Sequence, residues 1–254
     1  MSAVSAENIN DVFFDGYYKD IWRALIPEAL TKAEVDYLID ESGLSAGSKV
    51  LDLMCGYGRH ALSLARKGIN VTAVDNLAEY INEIKEIAET DNLPITAVKQ
   101  NVMQYQSKDK YDLVICMGNS MSFFNEENSV KLFSKISSLL KTDGKAIFNS
   151  WIIAEIVYKQ FKDNSWATVG NIKCLYSSRW LISPARIETE SIFIGPDGNT
   201  EIKHAVDYVY SLNETENMLN KSGLVVKDVW SVPGKKKFAL GEPRAYIVAE
   251  KVIV

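Results

Sequence analysis

The chain has 254 residues, 47% of them hydrophobic, with a formal net charge of −5. That length supports one large α/β core without a split into independently folding units, and the acid excess argues against a nucleic-acid partner, which wants a basic face. No apolar run approaches the roughly 20 residues of a membrane span, and no basic stretch with an apolar core opens the chain as an export signal does. Cys55, Cys116 and Cys174 are too few and too scattered for a disulfide framework or a zinc site, so a cytoplasmic protein without metal or membrane partner is expected.

The first legible segment is aromatic, Phe13 to Trp22, with Tyr17 and Tyr18 inside it and Trp22 one helical turn after Tyr18. Thr31 and Glu34 read as a capping box opening a helix that turns Val35, Leu38 and Ile39 inward and stops at Gly43. Val50, Leu51 and Leu53 then form a short buried strand, broken by Gly56 and Gly58. Ala61, Leu62, Leu64 and Ala65 follow at helical spacing, and a second buried strand, Ile69 to Val74, closes on Asp75. Strand, glycine turn, helix and acid-ended strand make the first half of a nucleoside-binding βαβ unit.

Gly56-Tyr57-Gly58-Arg59-His60-Ala61 also fits the dinucleotide fingerprint formally, with Asp75 near the usual spacing of about twenty residues. Asp52 separates the two readings. A carboxylate beside the turn repels a pyrophosphate, whereas it favours a ligand carrying an ammonium and a sulfonium. Asp52-Leu53-Met54-Cys55-Gly56-Tyr57-Gly58 resembles motif I of the class I S-adenosylmethionine-dependent methyltransferases, where an acid precedes a Gly-x-Gly-x-Gly loop. Met54 stands where the first glycine usually sits. The resemblance implies S-adenosyl-L-methionine as cofactor, with Asp52, Met54, Cys55, Gly56 and Gly58 around its methionine end. It also implies that the aromatic N-terminal segment is a lid offering Tyr17, Tyr18 and Trp22 to the site.

After Asp75, Asn76 is expected to cap a helix whose Tyr80, Ile81, Ile84, Ile87 and Ala88 form a core stripe. Asp75 lies where a ribose would, with Asn76 beside it and Leu77 against the adenine. Ile95 to Val98 is a third strand, and Asn101 with Val102 sits where the family binds the adenine. Tyr111 to Met117 reads as a fully covered fourth strand, ending at Gly118 and Asn119. By the resemblance this is motif IV: Met117 and Gly118 border the cofactor, and Asn119 offers its amide to the substrate. The Asn/Asp-Pro-Pro-Tyr/Phe run of nucleobase methyltransferases is absent.

Glu127 to Leu140 is an amphipathic helix stopped at Thr142-Asp143-Gly144, and Lys145 to Trp151 is the fifth strand, its Trp151 a further pocket candidate. The alternation then breaks into a short helix near 154–161 and three β-like segments, 172–182, 187–194 and 200–212, the last two joined by a Gly195-Pro196-Asp197-Gly198-Asn199 hairpin turn. In resembling enzymes an insert here roofs the substrate pocket; Trp166, Tyr176, Arg179, Trp180, His204 and Tyr208 are its candidates. Asn213 to Glu216 caps a last helix, and Val225 to Val232 with Arg244 to Val252 form a closing strand pair linked through Lys235, Lys236 and Lys237.

The expected fold is a doubly wound, Rossmann-like, seven-stranded α/β sheet with an antiparallel last strand, an antiparallel β insert and an N-terminal helical lid. The expected units are a lid at 1–45, a cofactor-binding core at 46–153, the insert at 154–212 and a closing segment at 213–254. The expected activity is methyl transfer to nitrogen or oxygen of a small molecule by in-line displacement, mainly by positioning, with His60 packed rather than acting as a base. The alternatives are an NAD(P)-dependent oxidoreductase and a non-catalytic S-adenosylmethionine-binding protein. Strand edges on the insert would let two copies pair as a homodimer.

Overall fold

The computed structural model describes residues 8–252, so the first seven residues of the expected lid lie outside the described ones. A 3₁₀ turn at Ile9–Val12 leads to helices α1 (Tyr17–Leu25) and α2 (Glu28–Ser42). The alternating core follows as β1 (Lys49–Leu53), α3 (Arg59–Ala65), β2 (Asn70–Asp75), α4 (Ala78–Thr90), β3 (Ile95–Lys99), β4 (Tyr111–Cys116), α5 (Glu126–Leu139) and β5 (Leu140–Ser150). Helix α6 (Ala154–Gln160) opens the insert of β6 (Asn164–Val169), β7 (Ile172–Ile182), β8 (Ala185–Ile194) and β9 (Thr200–Tyr208). Helix α7 (Leu212–Lys221), β10 (Leu224–Val232), the two-residue β11 (Lys236–Lys237) and β12 (Ala245–Lys251) complete the chain.

The main sheet has the order β3-β2-β1-β4-β5-β12-β10-β11. Strands β1 to β5 are mutually parallel, and β12 runs antiparallel to both β5 and β10. The seven long strands are those expected, and β11 adds a short edge strand. Buried on both faces, β1 and β4 read as near-continuous apolar runs. One core layer lies between the sheet and α5 and α7, around Phe133, Phe148 and Leu219. The other lies under α2, α3 and α4, around Leu38, Leu64 and Ile84. Order reverses between β1 and β4, and in such sheets ligands bind outside the carboxyl ends of the strands at that reversal.

Several element ends differ from the sequence reading, each for a local reason. Helix α2 begins after Pro27 rather than at Thr31, because Thr31 and Glu34 are buried and answer side chains of α3 rather than their own helix end. Helix α4 is not capped by Asn76: Leu77 is the cap residue, and its N–H donates to Asp75 Oδ1 at 2.9 Å. Helix α7 begins at Ser211, whose reciprocal capping box with Glu214 displaces Asn213 and ends the preceding strand at Tyr208. The insert has a fourth strand, β6, which pairs with β7 across Asn164↔Ser177 to Val169↔Ile172; short and mostly exposed, it lacks the apolar run that marks a strand.

Candidate active site

A cavity of about 910 Å³ opens at the carboxyl ends of β1, β2 and β4, within the roughly 300–1,000 Å³ typical of small-molecule sites. Its floor is the turn after β1. Met54 has a left-handed backbone (φ 54°), continuing into Gly56 (φ 55°) and Gly58 (φ 76°); for a methionine that conformation costs about 1 kcal/mol. Gly58 does not line the cavity. A Cβ there would stand 2.7 Å from Ile84 Cγ1, so this glycine lets α3 pack against α4 and is a packing residue rather than a ligand contact.

Asp52 ends inside this floor. It is 1% exposed, and its Oδ2 has no hydrogen-bond partner among the described residues. Burial raises its pKa to about 7; Arg59 opposes that and Asp75 reinforces it. A buried carboxylate oxygen without a partner is costly unless a donor or a cation completes it. Asp75 is better satisfied: its Oδ2 accepts from Gly56 N–H and its Oδ1 from Leu77 N–H, both at 2.9 Å. With Asn76 N–H as a third backbone donor, the carboxylate keeps acceptor capacity for a hydroxyl. Burial raises its pKa, and these backbone bonds pull it back.

Behind the floor lies a buried ion cluster that the sequence did not show. Glu34, 0% exposed, sits 2.5 Å from Arg59 Nη1 and 3.0 Å from His60 Nε2, and accepts from Tyr246 O–H at 2.6 Å. Burial pushes the Glu34 pKa up, but His60, Arg59 and Tyr246 hold it well below the usual carboxylate range. Burial, with Arg59 alongside, lowers the His60 pKa, against the pull of Glu34. Arg59 and His60 also border the cavity; the expectation of a packed His60 agrees with this geometry.

The opposite wall is aromatic. Phe14, Tyr18 and Trp22 line the cavity together with Tyr57 and Tyr80, and Tyr18 stacks on Trp22 with 6.3 Å between ring centroids. The segment is held from the insert side. Asn10 pairs with the Val206 backbone, donating at 2.8 Å and accepting at 2.9 Å. Tyr17 O–H donates to Asp197 at 2.7 Å, which pushes its pKa up to about 12. Tyr17 is therefore a tether between α1 and the β8–β9 turn and does not line the cavity.

The structure brings to the cavity Tyr18, Trp22, Asp52, Met54, Cys55, Gly56, Asp75, Asn76, Asn101, Val102, Met117 and Gly118. Leu77 stays outside the lining because it is spent as the α4 cap. Asn119 differs from its expected role: its Oδ1 accepts from Ser150 O–H (2.8 Å), Trp151 N–H (3.0 Å) and Ile152 N–H (3.1 Å), and its Nδ2 donates to Ser122 Oγ at 2.9 Å. The amide joins the ends of β4 and β5 and has nothing left for a substrate. Asn149 does the reciprocal work, its Oδ1 accepting from Gly118 N–H at 2.6 Å. Trp151 packs against Trp22 at 5.9 Å and carries Arg244 over its ring at 5.3 Å, one layer behind the lining. Arg179 is 75% exposed and bonded to Glu188 on the neighbouring strand, away from the cavity.

Asn10, Asp11, Tyr57, Arg59, Tyr80 and Gln100 are lining residues that the sequence reading left out of the site. Tyr57 alone carried a signal, standing between the two glycines. Asp207 also went unnoticed: desolvation raises its pKa to about 6, and its Oδ1 accepts from Ser122 O–H at 2.5 Å, tying β9 to the end of β4. Among the described residues no three His, Cys, Asp or Glu side chains converge as metal ligands do, and no helix is long and apolar enough to cross a membrane.

A family model described as a methyltransferase domain matches residues 50–144, from β1 through the start of β5. Over 241 residues the chain is 25% identical to a Geobacillus sp. (strain WCH70) protein whose name places it among the methyltransferases, covering 91% of this chain and 92% of that one. The chain is an S-adenosylmethionine-dependent methyltransferase. This methyltransferase is also 27% identical over 148 residues to the glycine/sarcosine N-methyltransferase of Halorhodospira halochloris, covering 56% of this chain and about half (54%) of that enzyme's length. Its fold matches an S-adenosylmethionine-dependent methyltransferase from Clostridium acetobutylicum ATCC 824 with a TM-score of 0.81 at 20% identity, over 93% of this chain and 96% of that one. The unpartnered Asp52 oxygen and a cavity of small-molecule size fit a cationic cofactor of this kind.

Proposed function

We propose that this methyltransferase transfers the methyl group to a nitrogen or oxygen of a small-molecule acceptor held between the glycine turn and the aromatic wall. The observation that carries the reading is Asp52, a buried carboxylate among the residues that line the cavity, one of whose oxygens has no hydrogen-bond partner among the described residues. Such a group favours a positively charged ligand and disfavours a pyrophosphate. The Halorhodospira relative is named for a small nitrogen acceptor, which supports the acceptor class.

When bound, S-adenosyl-L-methionine supplies an electrophilic methyl on a sulfonium whose leaving group departs neutral. Asp52 would hold the cationic end, and the remaining acceptor capacity of Asp75, with Asn76 beside it, would receive the ribose hydroxyls. Asn101 and Val102 border the base; Met54, Cys55, Gly56, Met117 and Gly118 shape the floor. Tyr18 and Trp22 close over the site, exclude water and present aromatic faces to positive charge. Alignment of acceptor and donor in this closed space contributes most of the rate. His60, its Nε2 paired with Glu34 and its protonation disfavoured by burial, is poorly placed to take a proton from the acceptor.

Titration calorimetry with S-adenosylmethionine, S-adenosylhomocysteine and NAD tests the cofactor assignment, and release of S-adenosylhomocysteine across amines, phenols and carboxylates then finds the acceptor. Heat with NAD and none with S-adenosylmethionine or S-adenosylhomocysteine would sink the reading. Turnover on a carbon or sulfur acceptor alone would overturn the acceptor class.

A further inference from the structure

The two faces of the insert sheet differ in what covers them. Its inner face, with Ile172, Cys174 and Phe193, packs on Phe13 and Ile21 of the N-terminal segment. Its outer face carries one apolar row that crosses every strand, because the register sets Trp166 beside Leu175, Leu175 beside Ile192, and Ile192 beside Ile202. Trp166 is 79% exposed, Ile202 57% and Leu175 43%. A solvent-facing row on a single antiparallel sheet is ordinarily polar, and a contiguous apolar stripe rimmed by polar residues marks an interaction surface.

The rim identifies the occupant. On one side of the stripe the outward row contains Lys173; on the other it contains Glu190, on the neighbouring strand. Neither side chain has an ion-pair partner among the described residues. A face with a lysine on one flank and a glutamate on the other is complementary to itself when turned by 180°. We propose that two copies of this chain pair sheet on sheet through this face, about a two-fold axis running along the apolar row. The axis lays each stripe on its counterpart and sets Lys173 one strand spacing, about 4.8 Å, to the side of Glu190 of the partner subunit across the sheet gap. Aligned stacking of this kind forms a layer about 10 Å thick. Four strands at that spacing and about nine residues of length give a face of roughly 19 by 30 Å. Two such faces total ~1,100 Å², above the roughly 1,000 Å² that a specific interface needs.

Sedimentation velocity of the full chain tests this. The expected species has twice the 28.4 kDa chain mass, and Trp166→Asp raises its dissociation constant at least ~30-fold, the mark of a hot-spot residue. The circular-dichroism melt is expected to be unchanged, because the Trp166 side chain is solvated in the single chain. Lys173→Glu weakens the dimer, and adding Glu190→Lys to it restores affinity, a rescue that general loss of stability does not give. A monomer at every concentration into the high micromolar range overturns the proposal. So does a dimer that Trp166→Asp and Lys173→Glu leave unchanged.

Discussion

The two walls of the cavity are built on opposite plans. The glycine-turn wall comes from nearly consecutive residues at the ends of β1 and β2, and its chemistry is a pair of buried carboxylates, Asp52 and Asp75, fixed by strand geometry and loop amides. The aromatic wall is assembled from α1 and held through Asn10 and Tyr17 by an insert nearly two hundred residues away in sequence. The first wall is set by local chain order and carries charge; the second depends on the docking of a separate sheet and is aromatic. Substitutions on the first are therefore expected to act on cofactor affinity and folding, and those on the second on acceptor use.

The largest effect is expected at the support of the first wall. Glu34→Gln removes the charge that pairs with buried Arg59, and breaking a buried pair of this kind costs about 3–5 kcal/mol; a urea melt would read it. An unchanged midpoint would mean that the cluster does not brace the glycine turn.

Asp52→Asn comes next. It is expected to weaken S-adenosylmethionine binding by about 2–3 kcal/mol, the worth of a hydrogen bond to a charged group, while raising the melting temperature of the free protein. The same residue sets a pH dependence. Burial raises its pKa from 3.8 to about 7, so the group favours folding fully below about 3.8, and that contribution fades as pH rises through about 7. Binding a cation needs the ionised form, so affinity falls about tenfold per pH unit below about 7 and is flat above it. Calorimetry across that window in the parent and in Asp52→Asn separates this from general titration, because the variant loses the slope.

On the second wall, Trp22→Ala is expected to lower kcat/KM for the acceptor about tenfold, the scale of an aromatic contact with partly desolvated positive charge, with cofactor affinity changed less than in Asp52→Asn. If both substitutions shift cofactor binding equally, the division between the walls fails. The smallest effect belongs to Arg179→Ala: the side chain is exposed and paired with Glu188, so turnover should stay within about twofold and stability within about 0.5 kcal/mol.

Most of the first wall was legible because its signals are local. Asp52, Gly56 and Asp75 carry their meaning within one βαβ unit, where strand ends and the turn between them are fixed by chain order. The same logic misassigned neighbours whose polar groups are claimed from afar. Asn119 reads as a free amide until Ser150, Trp151 and Ile152 converge on its oxygen. Thr31 and Glu34 read as a cap until Arg59, His60 and Tyr246 arrive from other elements. The strand β6 was missed because an exposed edge strand has no buried run to betray it.

The sequence alone determined the doubly wound core, the glycine turn after its first strand and the sign of the charge placed beside it, since each follows from hydrophobic period, glycine position and residue type over short spans. Only the tertiary structure decided which aromatic side chains reach the cavity, which buried polar groups are already satisfied and which face of the insert stays bare. Those outcomes depend on pairings between segments far apart in the chain, and no local pattern encodes a partner's position.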